Sequence, residues 1–262
     1  MRLSHNTTSY FCRLETLGGT SFKNQNTTAV QSVLRTEEKY LLSHPQALTL
    51  QNKLRALLHV DDFGDNDGYR VRSLYFDSFH NIDYREKNAG TYHRKKIRLR
   101  IYDEKQVNAK LELKEKHGAL QHKVSVTISR QDAVRLCQGD YGTLLDYKTP
   151  DAIRLYTMMS LGLYRPAAII EYNRLAFTYD VFSTRITFDS NVRSSDLLLD
   201  LYEPLLPWNY IVNQSVILEV KYNQLLPGFL SAVLDHENLT KLSVGKYALG
   251  RRIPDQIGRA HV

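Results

Sequence analysis

Cysteine is nearly absent: Cys12 and Cys137 are the only two in 262 residues. Two thiols make no disulfide framework, so a reducing cytosol is the expected compartment. The Asn-x-Ser/Thr matches at Asn6, Asn213 and Asn238 then carry no glycosylation meaning. No apolar run approaches the ~20 residues that cross a bilayer. No N-terminal stretch combines a basic start, a long apolar segment and a small-residue cleavage site, so a secreted product is not expected. The nine histidines form no His-x-x-x-His or similar set, which argues against a zinc site. There is no obvious nucleophilic Ser/His or Cys/His pair. No helix-turn-helix, zinc-finger or RNP-like aromatic motif points to a specific nucleic acid. Internal repeats and a dividing linker are also lacking.

What is present is an ordinary globular composition, 42% apolar and 24% charged. Thirty-five Lys and Arg against 28 Asp and Glu leave a net charge of +7, with a pI near 9.2. That balance suits an anionic partner: nucleic acid, phosphate compounds or a membrane surface. Residues 1–30, rich in Thr, Ser, Asn and Gly without sustained periodicity, read as a poorly ordered leader. Residues 257–262 read as translated sequencing adapter and are set aside, leaving one domain over 31–254.

Within that domain period-2 alternation dominates. It predicts strands over 33–42, 69–77, 92–103, 108–116, 121–128, 166–179, 184–190 and 215–223. Helical spacing, with caps at Ser43, Ser129 and Thr149, predicts helices over 45–59, 130–138, 150–161 and 227–236. The fold class is mainly β with added helices (α+β).

The faces of these strands are chemically lopsided. Arg94, Lys96, Arg98 and Arg100 share one side, with Ile97, Leu99 and Ile101 opposite. Lys110, Glu112, Lys114 and Lys116 oppose Leu111 and Leu113. Glu219 and Lys221 oppose Leu218 and Val220, Arg185, Thr187 and Asp189 form another polar row, and Arg35, Glu37 and Lys39 share a side. One solvated sheet face explains any single strand of this kind. Recurrence in five strands, biased to Arg and Lys, favours a closed barrel with the charges inside around a polyanion and helices outside.

The motifs that carry this pattern also resemble a known family. They run in order as Arg35-x-Glu37-x-Lys39-Tyr40, Ser73 to Asp77, Lys96 to Arg100, Leu111 to Lys114, Tyr172 to Phe177, Arg185 to Asp189, Leu218 to Tyr222 and Ser243 to Tyr247. Over roughly 33–250 the chain resembles the VTC domain, the polyphosphate polymerase module of the vacuolar transporter chaperone complex. That domain falls in the triphosphate tunnel metalloenzyme group related to CYTH proteins. The resemblance implies an antiparallel β-barrel tunnel of about eight strands. It also implies binding of ATP and polyphosphate, pyrophosphate or phosphate, with Mn²⁺ or Mg²⁺. The implied reaction moves the ATP γ-phosphoryl group onto phosphate or a growing polyphosphate. A membrane-protein partner encoded separately is a further implication.

Residue by residue, Lys39, Arg98, Arg100, Lys114, Arg174 and Lys246 match phosphate-binding positions, and Glu219 matches the metal-binding carboxylate. Glu37 is a second ligand candidate, or else pairs with a neighbouring Arg or Lys; Glu112 and Asp189 face the same alternatives. Arg185 and Lys221 either contact substrate or balance Asp189 and Glu219. Tunnel hydrolases of the group usually open with Glu-x-Glu-x-Lys, and Arg35 replaces the first Glu here, which tilts the reading towards transfer or binding. Three functions remain open at this point: a polymerase, a tripolyphosphate or nucleoside-triphosphate hydrolase, and a non-catalytic polyphosphate-binding module.

Overall fold

Alternation resolves into eight long antiparallel strands. They are β1 (Arg35–Ser43), β3 (Tyr69–Asp77), β4 (His93–Ile101), β5 (Asn108–His117), β6 (Leu120–Ser129), β7 (Arg165–Tyr179), β8 (Thr184–Ser195) and β10 (Ser215–Asn223). Three two-residue strands join them: β2 (His59–Val60), β9 (Asn209–Tyr210) and β11 (Thr240–Lys241). The computed structural model describes residues 35–64, 67–118, 120–212, 215–237, 239–243 and 245–257. The expected leader, and residues 258–262 of the expected tail, lie outside these.

The sheet is not a closed barrel, which corrects the expected fold. Its eleven strands run β11-β1-β10-β8-β7-β3-β4-β5-β6, with β2 on β7 and β9 on β8. Among the described residues no ladder joins β6 to β1 or β11. On its free side β1 pairs with β11 at Tyr40 and Leu41, and Lys39 accepts from Leu242 N at 2.8 Å. Curvature stands in for closure. Register shifts at Tyr75/Phe76 and at Glu171/Asn173 mark irregularities that increase local twist. The charged rows of both ends therefore line one concave cavity without a closing ladder.

The apolar rows face outward and are covered. Leu99, Leu111, Leu113 and Val124 pack with Leu136 of α3 (Arg130–Cys137), with Leu155 and Met159 of α4 (Pro150–Gly162), and with Leu144 of a 3₁₀ turn (Tyr141–Tyr147). At the other end Phe188, Leu218 and Val220 pack with Leu50 and Leu54 of α1 (His44–Arg55) and Leu230 of α5 (Gly228–Asp235). Ser43 starts α1 through a capping box with Gln46, and Thr149 caps α4. Helix α1 stops at Arg55, short of the expected 59, because His59 and Val60 pair with β7.

Two helices escape the alternation pattern, α2 (Ile82–Ala89) and α6 (Lys246–Ile257). Helix α6 also departs from the expectation of helices outside. Its Tyr247 joins Val71, Tyr75, Ile170, Tyr172 and Ile217 in an apolar cluster on the concave side. None of the described helices is long and apolar enough to cross a membrane.

Candidate functional site

The concave face holds a cavity of about 650 Å³. Among the described residues sixteen Lys or Arg and five Asp or Glu side chains line it. The local excess of eleven positive charges exceeds the +7 of the whole chain. Along the inner parts of the strands alternate residues reach it, as Lys96, Arg98 and Arg100 do, while at the strand ends successive residues such as Arg94 and Lys95 line it.

Three buried carboxylates organise the cations. Asp189 of β8, fully buried, takes a two-pronged contact from Arg174 of β7, Nε to Oδ1 at 2.7 Å and Nη2 to Oδ2 at 2.8 Å. Lys246 of α6 closes on Asp189 Oδ2 at 2.5 Å. Glu112 of β5 accepts Arg98 Nε at 2.9 Å and Arg100 Nη2 at 2.5 Å, and pairs with Lys123 of β6 at 2.7 Å. Glu219 of β10 accepts Lys221 Nζ at 2.7 Å and lies 3.7 to 3.9 Å from Lys39, Lys246 and Arg174.

The electrostatics follow from this packing. Burial opposes ionisation of Glu219, yet Lys246, Lys221, Lys39 and Arg174 hold it well below the usual carboxylate range. Burial likewise opposes ionisation of Glu37, and Lys221 and Lys39 still bring it down to about 2. Asp189 and Glu112 are also depressed by their cations against burial. Lys114 behaves in the opposite sense. Burial, then Arg98, Lys96 and Lys221, push it well below its ordinary value. Among the described residues neither Lys114 nor Lys96 forms an ion pair with a carboxylate.

All ten residues expected at the site line this one cavity: Lys39, Arg98, Arg100, Lys114, Arg174, Arg185, Lys221, Lys246, Glu37 and Glu219. Arg185 pairs with Asp61 at 2.5 Å, not with Asp189. Glu112 and Asp189 pair with cations, as the alternative reading held. Arg70 and Arg72 belong to the outer face. Arg72 is fully buried there on Glu171, at 2.5 Å.

Arg35 and Lys96, which the alternation puts on charged faces without marking them as site residues, also line the cavity, and so does Lys123 of β6, which had no such signal. Phe63 had none either.

Glu37 and Glu219 fit a hard divalent cation. Both are oxygen donors kept ionised, and Lys39 Nζ sits between them at 2.5 and 3.7 Å, a positive charge already held by the pair. One or two carboxylates completed by phosphate oxygens and water make an ordinary Mg²⁺ site. No cluster of three or more acidic, His or Cys ligands occurs among the described residues, so phosphate would have to supply part of the shell.

This curved antiparallel sheet has counterparts among solved structures. A Hippeastrum protein described as a candidate adenylyl cyclase with a dominant triphosphatase activity has the same fold at 16% identity. The match covers 82% of this chain and 94% of that one, with a TM-score of 0.51. A candidate adenylate cyclase from Bacillus halodurans aligns at 15% identity over 81% and 94%, with a TM-score of 0.46. No curated protein sequence matches. The VTC domain model matches residues 34–253, and the chain belongs to the VTC domain family.

Proposed function

We propose that this cavity transfers the γ-phosphoryl group of ATP to phosphate, pyrophosphate or polyphosphate, with Mn²⁺ or Mg²⁺. The observation that carries this reading is the pairing of Glu37 and Glu219, both ionised, inside a cavity otherwise dominated by cations. Phosphoryl transfer needs alignment and charge neutralisation more than covalent help. Arg98, Arg100, Lys114, Arg174 and Lys246 would hold non-bridging oxygens, the arginines through their planar forks. An oxygen of the acceptor phosphate bonds to the γ-phosphorus while the bond from that phosphorus to the β–γ bridging oxygen breaks. ADP leaves, and the acceptor is one phosphate longer. The acceptor oxygen is already ionised, so no general base is required. Glu219 and Glu37 would hold the metal, which supplies charge neutralisation across the phosphate oxygens when bound.

Transfer is favoured over hydrolysis by Arg35. It lines the cavity where tunnel hydrolases usually place a carboxylate, so the site offers one acidic group fewer to activate water. The test is incubation of pure protein with ATP and Mn²⁺, with products resolved on a gel. Growing chains that disappear in Glu219→Ala support the reading. Release of free phosphate alone points to a tripolyphosphatase. Polyphosphate binding without turnover, unaffected by Glu219→Ala, points to a binding module.

A further inference from the structure

At one mouth of the cavity three aromatic rings meet. Phe63 packs on Tyr102 at 4.4 Å between centroids and on Tyr69 at 4.8 Å, and the two tyrosines are 5.9 Å apart. Phe63 nevertheless remains 55% exposed, a large apolar ring facing a strongly basic cavity. The polar ends of the tyrosines are tied to that cavity's cations. Arg185 Nη2 donates to Tyr69 OH at 3.1 Å, and Arg100 Nη1 donates to Tyr102 OH at 3.3 Å. Tyr69 also stands opposite Arg174 in the β3–β7 ladder.

Asp61 ties the backbone before Phe63 to the sheet. Asp61 N donates to Ala176 O at 2.9 Å, the Asp61 carboxylate pairs with Arg185 at 2.5 Å, and Phe63 N donates to Asp61 Oδ1 at 3.1 Å. Gly68 returns the loop to β3 at φ +90°, where a Cβ would collide with the Arg174 carbonyl. An exposed ring packed beside the guanidiniums of the cavity suits a base joined to a phosphate chain.

We propose that Phe63, Tyr69 and Tyr102 form a stacking platform for the base of a nucleoside triphosphate, with its phosphates on the adjoining Arg100, Arg174 and Arg185. This rests on the polyanion-binding reading above and adds to it a reason why a nucleotide, and not only bare polyphosphate, is recognised. Stacking is tolerant of base identity, because every base has a π-face. Adenine and guanine nucleotides therefore bind alike.

The test is calorimetric titration of wild type and Phe63→Ala with ATP and, separately, inorganic tripolyphosphate, both with Mg²⁺. Phe63→Ala is expected to weaken ATP binding about ten-fold, the scale of losing one stacked base, and to leave tripolyphosphate affinity within about two-fold. Phe63→Trp provides a second readout: ATP quenches its added fluorescence and tripolyphosphate does not. Equal weakening of both ligands, or of neither, overturns the platform. If the wild type fails to bind tripolyphosphate, the parent reading falls and takes this one with it. Tripolyphosphate binding without an ATP-specific loss overturns the platform alone.

Discussion

Asp189 is the most deeply buried of the three carboxylates that order the cavity's cations. It has no solvent contact, and both Arg174 and Lys246 depend on it. Asp189→Asn removes the nearer counter-charge of both and leaves them only Glu219 at 3.7 to 3.9 Å, which costs on the order of 3 kcal/mol for a buried pair. Urea denaturation is expected to show that loss in ligand-free protein, with added tripolyphosphate restoring part of it. Lys114 answers a different question. Its charge is suppressed by burial and by Arg98, Lys96 and Lys221, so a polyanion that approaches it restores the proton. Binding of tripolyphosphate should therefore take up protons at alkaline pH, read as a dependence of calorimetric enthalpy on buffer. Lys114→Arg should remove that uptake, because a guanidinium does not titrate there.

Asp83 offers a stability test at the same scale. Burial, helped by the nearby Asp77 charge, raises its carboxyl to about 6 against the pull of Lys95 at 3.2 Å and of the Tyr164 hydroxyl that donates to it at 2.9 Å. A carboxyl raised in the folded state contributes stability at low pH that is lost as pH rises through about 6. Asp83→Asn removes that dependence. The variant should thus gain on the wild type as pH rises across this window, by at most about 3 kcal/mol in denaturation midpoints converted to free energy.

Among elements, α6 is the one on which site and core meet. Tyr247 stacks on Tyr75 at 4.8 Å between centroids and donates to Asp77 Oδ2 at 2.7 Å, and its neighbour is Lys246. Tyr247→Ala should cost about 3–5 kcal/mol, as large-to-small changes do in a packed core. It should also weaken tripolyphosphate binding by displacing Lys246. Tyr247→Phe removes only the hydroxyl, and Asp77 still accepts from Ser78, Asp83 and Tyr84. That change should cost about 1 kcal/mol and leave binding intact. Chemical denaturation and calorimetry on the two variants separate the effects.

Legibility in the sequence also divides by element. Five of the eight long strands stood out because each alternates a charged row with an apolar one, and that alternation put eight of the ten expected residues on charged faces; Arg174 and Lys246 were marked only by the family resemblance, and all ten line one cavity. β8 was seen only to 190. Beyond it Asn191 adopts φ 52° near the Glu171/Asn173 irregularity, and the period-2 signal slips. Two-residue strands have too few positions to show a period. Helix α6 buries an aromatic against the concave side instead of an apolar stripe against the outer core. Helix α4 ends at Gly162, one residue past the expected 161; Leu163 takes the left-handed turn, and the missing Cβ at Gly162 makes room for the Tyr164 ring. Closure was misread because a charged inner face was taken to require a sealed barrel. Strand irregularities curve an open sheet enough to gather the same charges.

Across the whole molecule, the positive excess is concentrated in one concavity, while on the outer face Arg72 and Arg193 are offset by Glu171 and Glu104. A focused field of this kind accelerates encounter with anions and is screened within about 10 Å at 0.1 M salt. Association of tripolyphosphate should slow steeply with ionic strength, and dissociation much less, as stopped-flow traces would show. The most direct measurement is a crystal structure of the protein soaked with tripolyphosphate and Mn²⁺. The account predicts phosphate density inside the concavity on Arg98, Lys114, Arg174 and Lys246, with the metal peak on Glu219. Phosphates bound elsewhere, with those four side chains left untouched, would contradict it.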